Sequence, residues 1–290
     1  MTDPITLRAS AETVAASLPA LLAQADQLAS TVIMGEHGRR RAGMGDHFWQ
    51  YRPAQTWDEA RLIDWRRSGR SDTTYVQDKE WQIAQTVMMW IDRSASMSFS
   101  SADSHPTKAA RAGVLMTALS LLLLRGGERV GVIGADIPAR RGEAQSMRIA
   151  EWVAQADGSD YGSPDDAGIL PNSRAVYMSD FMGDLAPLET ALTRAADRGV
   201  SGTLFQILDP AEEDFPFDGR TVFQSMGGSL RFETQKAGDL RTRYRERLAE
   251  RKDRIAALAR TAGWQYGTHH TGDSAQSALL WLYTATEQTR

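Results

Sequence analysis

Residues 84–91, AQTVMMWI, form an almost wholly apolar run that stops at Asp92. A run of this length without polar alternation predicts a strand covered on both faces, as in a parallel sheet flanked by helices. The pattern after it agrees. Residues 107–124 predict a helix apolar nearly all round, and 129–134 a second strand. A weaker helix follows at 143–156, then a Gly/Ser/Asp loop at 158–166. Residues 174–178 predict a third strand ending at Ser179-Asp180, 185–198 a helix, and 202–208 a fourth strand. Strands alternating with helices of 12–18 residues predict an α/β fold with a mostly parallel sheet and helices on both faces. Residues 221–224 and 230–233 read as a hairpin around Gly227-Gly228. The chain then predicts a long polar helix at 239–262, a last strand at 263–269 and a last helix at 274–287.

Ahead of this pattern, residues 10–31 predict a helix, with Val14, Leu18, Leu21, Leu22, Ala25 and Leu28 on one face. Residues 35–56 are rich in Gly, Arg and His and read as an extended arm or irregular loop. Residues 57–67 predict a short amphipathic helix and 73–77 an edge strand. The expected organisation is an N-terminal helical and extended arm, 1–80, packed on an α/β domain, 81–290.

In open α/β sheets, ligands bind beyond the carboxyl ends of the strands. Two such ends carry reactive side chains: Asp92-Arg93-Ser94-Ala95-Ser96 and Ser179-Asp180. Asp92 leaves its strand toward the crevice, and Ser94 and Ser96 follow in a loop that can turn both hydroxyls to one point. A carboxylate and two hydroxyls form a hard, all-oxygen ligand set that suits Mg²⁺ or Mn²⁺. Asp180 could reach the ion or one of its waters from a neighbouring strand. An ion with so few carboxylates stays electron-poor and gains from one more anionic oxygen, such as a Glu or Asp of a partner. The plainer alternative is a turn, with Ser94, Ser96 or Ser98 capping the next helix and Asp92 accepting backbone hydrogen bonds.

Composition narrows the chemistry. The absence of cysteine excludes thiol catalysis and zinc–thiolate or iron–sulfur sites, and fits a reducing compartment. The net charge of -4 and pI of about 5.8 argue against nucleic acid as a partner. The basic segment 241–254 alternates with Glu246, Glu250 and Asp253 and reads as a solvated helix face. The longest apolar stretch, 113–124, spans about 18 Å as a helix, short of the ~30 Å a membrane span requires. A soluble, cytoplasmic protein is expected. Trp65 of Asp64-Trp65-Arg66 is expected to pack, with Asp64 pairing to an arginine or a backbone amide. The adjacent His269 and His270 should point to opposite faces of a strand.

Residues 92–96 resemble the metal-ion-dependent adhesion motif of von Willebrand factor A domains, and Ser179-Asp180 resembles that family's later acidic motif. The segments 45–53 (GDHFWQYRP), 58–70 (DEARLIDWRRSGR) and 87–97 (VMMWIDRSASM) are similar to a bacterial subset, domain-of-unknown-function family fifty-eight. The resemblance implies a Rossmann-like fold and a metal bridging to a partner's carboxylate. It also implies pairing with a MoxR-type AAA+ ATPase in chaperone-like assembly or activation of other proteins. The family motif includes a threonine on a loop between the two strands. The loop here, 158–163, has none, which leaves Ser163, Ser159 or Asp160 as stand-ins and makes Thr107 a weaker one.

The leading expectation is therefore a non-catalytic, metal-dependent protein-binding module. The chain has no GxxxxGK[ST] loop, so ATP would be used by a partner. The alternatives are a scaffold with a vestigial metal site, or a Mg²⁺-dependent phosphatase-like hydrolase that forms an aspartyl phosphate on Asp92.

Overall fold

The computed structural model describes residues 19–32, 39–43, 47–56, 58–70, 73–155 and 158–287. The chain divides into two compact units, one within residues 35–85 and one that holds the helix at 19–30 together with residues 86–287.

The larger unit is a mixed α/β structure around a six-stranded sheet of order β11-β8-β7-β4-β5-β6. Its strands are β4 (Thr86–Ile91), β5 (Arg129–Val132), β6 (Ile137–Arg140), β7 (Arg174–Ser179), β8 (Ser201–Leu208) and β11 (Gln265–His270). All neighbours pair parallel except β5 with β6, which are antiparallel. Sequence patterning does not find β6: its residues Ile-Pro-Ala-Arg alternate between half-buried and exposed, as on an edge.

β4 shows why an apolar run becomes a central strand. Val87, Met89 and Ile91 enter one core and Met88 and Trp90 the other, so its period of two buries both faces. Each such side chain contributes roughly 1.5–3 kcal/mol. The first core lies under α3 (Lys108–Arg125) and α8 (Ala275–Glu287), with Ala25 and Ala29 of the helix at 19–30. That helix, α1, lies within the stretch predicted at 10–31, and its predicted first turns fall outside the described residues. The second core lies under α5 (Ala186–Asp197) and α7 (Arg241–Thr261), where Tyr177 packs between Trp90 and Trp264 with its ring tilted to both. Between β5 and β7 the chain makes α4 (Glu143–Val153), and after β8 the short α6 (Pro210–Asp214). A separate hairpin pairs β9 (Thr221–Gln224) with β10 (Arg231–Thr234).

From β4 the chain builds outward to β5 and β6, then returns to add β7, β8 and β11 on the other side. The order reverses between β4 and β7, which places the ends carrying Asp92 and Ser179-Asp180 at the topological switch point where such sheets open a crevice. Among the described residues, no helix is long and apolar enough to cross a membrane.

The smaller unit is an antiparallel sheet in which β3 (Tyr75–Ile83) lies between β1 (Arg39–Gly43) and β2 (His47–Pro53). Two expectations are corrected here. The strand expected at an edge is central, because the Arg- and His-rich segment supplies strands to both of its sides. The helix expected over 57–67 is broken into a 3-10 turn, Ala60–Leu62, and α2 (Trp65–Ser68), because Ile63 is extended in a bridge with Val76.

Candidate functional site

Asp92 continues the β4 ladder with its backbone N–H donating to Met178 O at 2.9 Å. Its side chain is buried at the strand tip. Asp92 Oδ1 accepts from Ser94 N at 2.9 Å and Oδ2 accepts from Ser179 Oγ at 2.7 Å. The chain then tightens into a 3-10 turn, Ala95–Ser98, which brings the Ser94 and Ser96 hydroxyls to 3.1 Å of each other. The two hydroxyls therefore meet in the turn whose first N–H holds the Asp92 carboxylate, and Ser94, Ser96 and Ser179 are all buried. Burial pushes the Asp92 carboxyl above its ordinary range, against the lowering effect of its bonds to Ser94 and Ser179.

The second acid is committed elsewhere. Asp180 Oδ2 accepts from Lys108 Nζ at 2.7 Å, and Lys108, at the head of α3, also donates to Glu212 Oε1 of α6 at 2.5 Å. Lys108 is only 1% exposed. Burial alone would lower its pKa, but the charges of Asp180 and Glu212 outweigh that and raise it, so the ammonium is held charged. Asp180 Oδ1 accepts from Met182 N at 2.9 Å and its carbonyl accepts from Gln206 Nε2 at 2.7 Å. Asp180 thus enters the crevice already neutralised by a resident cation. A lysine opening an apolar helix was the only signal of this in the sequence, and spacing alone does not single it out.

The loop expected to supply a threonine substitute lies over the serine turn through its backbone. Ser159 O accepts from Ala95 N at 2.7 Å, and Asp160 O accepts from Ser96 N at 2.9 Å. The Asp160 carboxylate turns away to the β9–β10 hairpin, accepting from Gly227 N at 2.7 Å, from Ser225 Oγ at 2.8 Å and from Ser229 Oγ. Its side chain is therefore unavailable as the threonine substitute. Ser163 is exposed, and Thr107 caps α3 by accepting from Ala110 N. Gly162 was not anticipated. A Cβ built on it would lie 2.3 Å from Asp92 Cγ and 2.4 Å from both carboxylate oxygens, so only glycine allows the loop to approach this closely.

Two further features define the rim. Phe181 adopts a left-handed backbone with φ 50 just after Asp180. Arg251 of α7 holds that corner by donating to Phe181 O at 2.5 Å and to Gly183 O. Arg93, inside the motif, lies outside the crevice, with its guanidinium 4.0 Å from the Trp152 ring centroid and bonded to Trp152 O and Gln155 O.

The donor set fits one hard dication. Asp92, Ser94 and Ser96 present oxygen only, and the buried Asp92 carboxylate has no cation beside it among the described residues. Among those residues no group of three or more His, Cys, Asp or Glu could hold a metal, so the set would be one carboxylate supported by hydroxyls and water. His269 and His270 diverge as a strand requires: His269 stacks on Phe205 and meets Arg111, while His270 pairs with Glu213.

The chain is similar to uncharacterized proteins of Mycobacterium bovis and Mycobacterium tuberculosis, each 25% identical over 264 residues, covering 86% of this chain and 82% of the relative. Among solved structures it is similar to the conserved hypothetical protein BatB of Bacteroides thetaiotaomicron, with 14% identity, a TM-score of 0.42, and coverage of 70% of this chain and 98% of that one. It is also similar to an aerotolerance-related membrane protein of Bacteroides fragilis, with 16% identity, a TM-score of 0.41 and the same coverages. A family model described as protein of unknown function DUF58 matches residues 50–254, well over half of the chain, and the chain belongs to that family.

Proposed function

We propose that the chain is a von Willebrand factor A-like, metal-dependent protein-binding module, acting as an accessory to a MoxR-type AAA+ ATPase in the assembly or activation of other proteins. The observation that supports this reading is that the Ser94 and Ser96 hydroxyls lie 3.1 Å apart in the turn whose Ser94 N–H donates to the buried Asp92 carboxylate, at the switch point of the sheet. Asp92, Ser94 and Ser96 would hold one Mg²⁺ or Mn²⁺ directly. Ser179 orients Asp92, and Asp180 stays in the second rank on Lys108. When bound, the ion supplies a Lewis-acidic position for a partner's Asp or Glu. A single carboxylate leaves that position with net positive charge, which favours an anionic sixth ligand.

Calorimetric titration of Mn²⁺ into the wild-type chain and Asp92→Ala tests the site. Pull-down with and without chelator, read by mass spectrometry, tests its use. Heat with the wild type that disappears in Asp92→Ala, and a partner ATPase lost on chelation, are expected. No heat with the wild type would end the metal reading. Equal recovery with chelator would end the metal-bridged partner.

Lys108 favours a second reading, a scaffold in which an internal ammonium has taken over one role of the ion and the metal site is vestigial. In that case partner binding survives both chelation and Asp92→Ala.

A further inference from the structure

The Asp64-Trp65-Arg66 motif takes no part in the crevice. Trp65 is 65% exposed and so does not pack as expected. Asp64 instead organises a cleft within the smaller unit. Its Oδ1 accepts from Arg67 N at 3.0 Å, capping α2, and its Oδ2 accepts from Tyr51 Oη at 3.1 Å. Tyr51 on β2 and Tyr75 on β3 share one face of the sheet, because Tyr75 pairs with Pro53 two residues away. The Arg67 guanidinium lies over this aromatic floor, 4.2 Å from the Tyr51 centroid and 5.4 Å from that of Tyr75.

Above the floor is an open cleft of about 390 Å³ lined by Tyr51, Asp64, Arg66, Arg67, Arg70 and Tyr75. That volume is in the range of small-ligand sites. The lining holds three guanidinium groups against one carboxylate, and that carboxylate is already engaged by a backbone amide and a phenol. Two other arginines among the described side chains of the unit are matched: Arg52 forms a two-pronged pair with Asp58 at 2.5 and 2.6 Å, and Arg61 pairs with Glu59. Arg66 and Arg70 have no carboxylate partner among the described residues.

We infer that this cleft binds a dianionic phosphoryl group, as a phosphate monoester or free phosphate. Arg67, fixed by its stacking, would present a planar fork to two phosphoryl oxygens. Arg66 and Arg70 would supply the remaining charge. The surplus of two positive charges matches a dianion better than a single carboxylate. The inference concerns the smaller unit alone and stands apart from the metal reading.

The test is titration of the full chain with inorganic phosphate and with O-phosphoserine, in chelator and against chloride at matched ionic strength, followed by calorimetry and thermal shift. Saturable binding by either probe is expected, tighter for O-phosphoserine if the natural source is an ester. Arg66→Gln/Arg70→Gln should weaken it at least tenfold with an unchanged circular dichroism spectrum. Arg66→Lys/Arg70→Lys, which keeps the charge these two positions supply and leaves the Arg67 fork in place, should recover most of the affinity. Absence of saturable binding beyond the chloride control would overturn the inference. So would undiminished binding by the folded glutamine variant.

Discussion

Lys108→Met gives the most direct test of how the crevice is built. The substitution keeps an unbranched apolar stem and deletes an ammonium that sits 2.7 Å from Asp180 Oδ2 and 2.5 Å from Glu212 Oε1. Both carboxylates would then face each other in a buried space with no cation. Removing one partner of a buried ion pair typically costs about 3–5 kcal/mol, because the remaining charge is stranded. For a unit of this size, that corresponds to a fall in Tm of roughly 6–20 °C. The assay is urea denaturation at neutral pH, followed by circular dichroism with chelator present, on the wild type, Lys108→Met, Lys108→Met/Asp180→Asn and the further Glu212→Gln variant. Each neutralisation should return part of the loss, so the effects will be strongly non-additive. Mn²⁺ should stabilise Lys108→Met more than the wild type, since Asp180 is released toward the crevice. If Lys108→Met lowers stability by less than about 1 kcal/mol, or if Asp180→Asn deepens its loss, the resident-cation account is wrong.

Three other outcomes follow from the geometry. Gly162→Ala should drive the loop off Asp92, cost about 1–3 kcal/mol by overpacking and abolish any Mn²⁺-induced thermal shift; an unaltered shift would show that the close approach has no part in the site. His269 is lowered to about 4 by burial and then by Arg111, so its folded pKa lies below the unfolded value of 6.5. Its contribution is present above pH 6.5 and is lost as pH falls toward 4, amounting to about 3 kcal/mol at most. His269→Gln should flatten that part of a stability–pH curve, and an unchanged slope would contradict the assignment. Arg251→Met should lower stability by about 2 kcal/mol and speed hydrogen exchange at the Met182 amide, because the left-handed corner at Phe181 loses its clamp; unchanged exchange there would refute the clamp.

The parts of this protein that were legible in its sequence are those written by burial. β4 and β7 are apolar throughout because both faces are covered, and the polar residues where they stop, Asp92 and Ser179, meet in space. The parts that were not legible depend on long-range pairing. Asp180 shows a metal-competent carboxylate in sequence, yet its partner is a lysine 72 positions away. Asp160 looks like a loop ligand, yet it is held by a turn more than 60 positions on. β3 has a polar sequence suited to an edge, and only its two equally polar neighbours make it central.

Asp160 also links two regions that the chain keeps far apart. Its carbonyl holds the serine turn through Ser96, while its carboxylate anchors the tip of the β9–β10 hairpin. That hairpin carries Val222, Met226, Leu230 and Phe232, all with substantial apolar area facing water. A single residue thus ties this greasy flap to the backbone of Ser96, so a partner that settled on the flap would bear on the serine turn through Asp160.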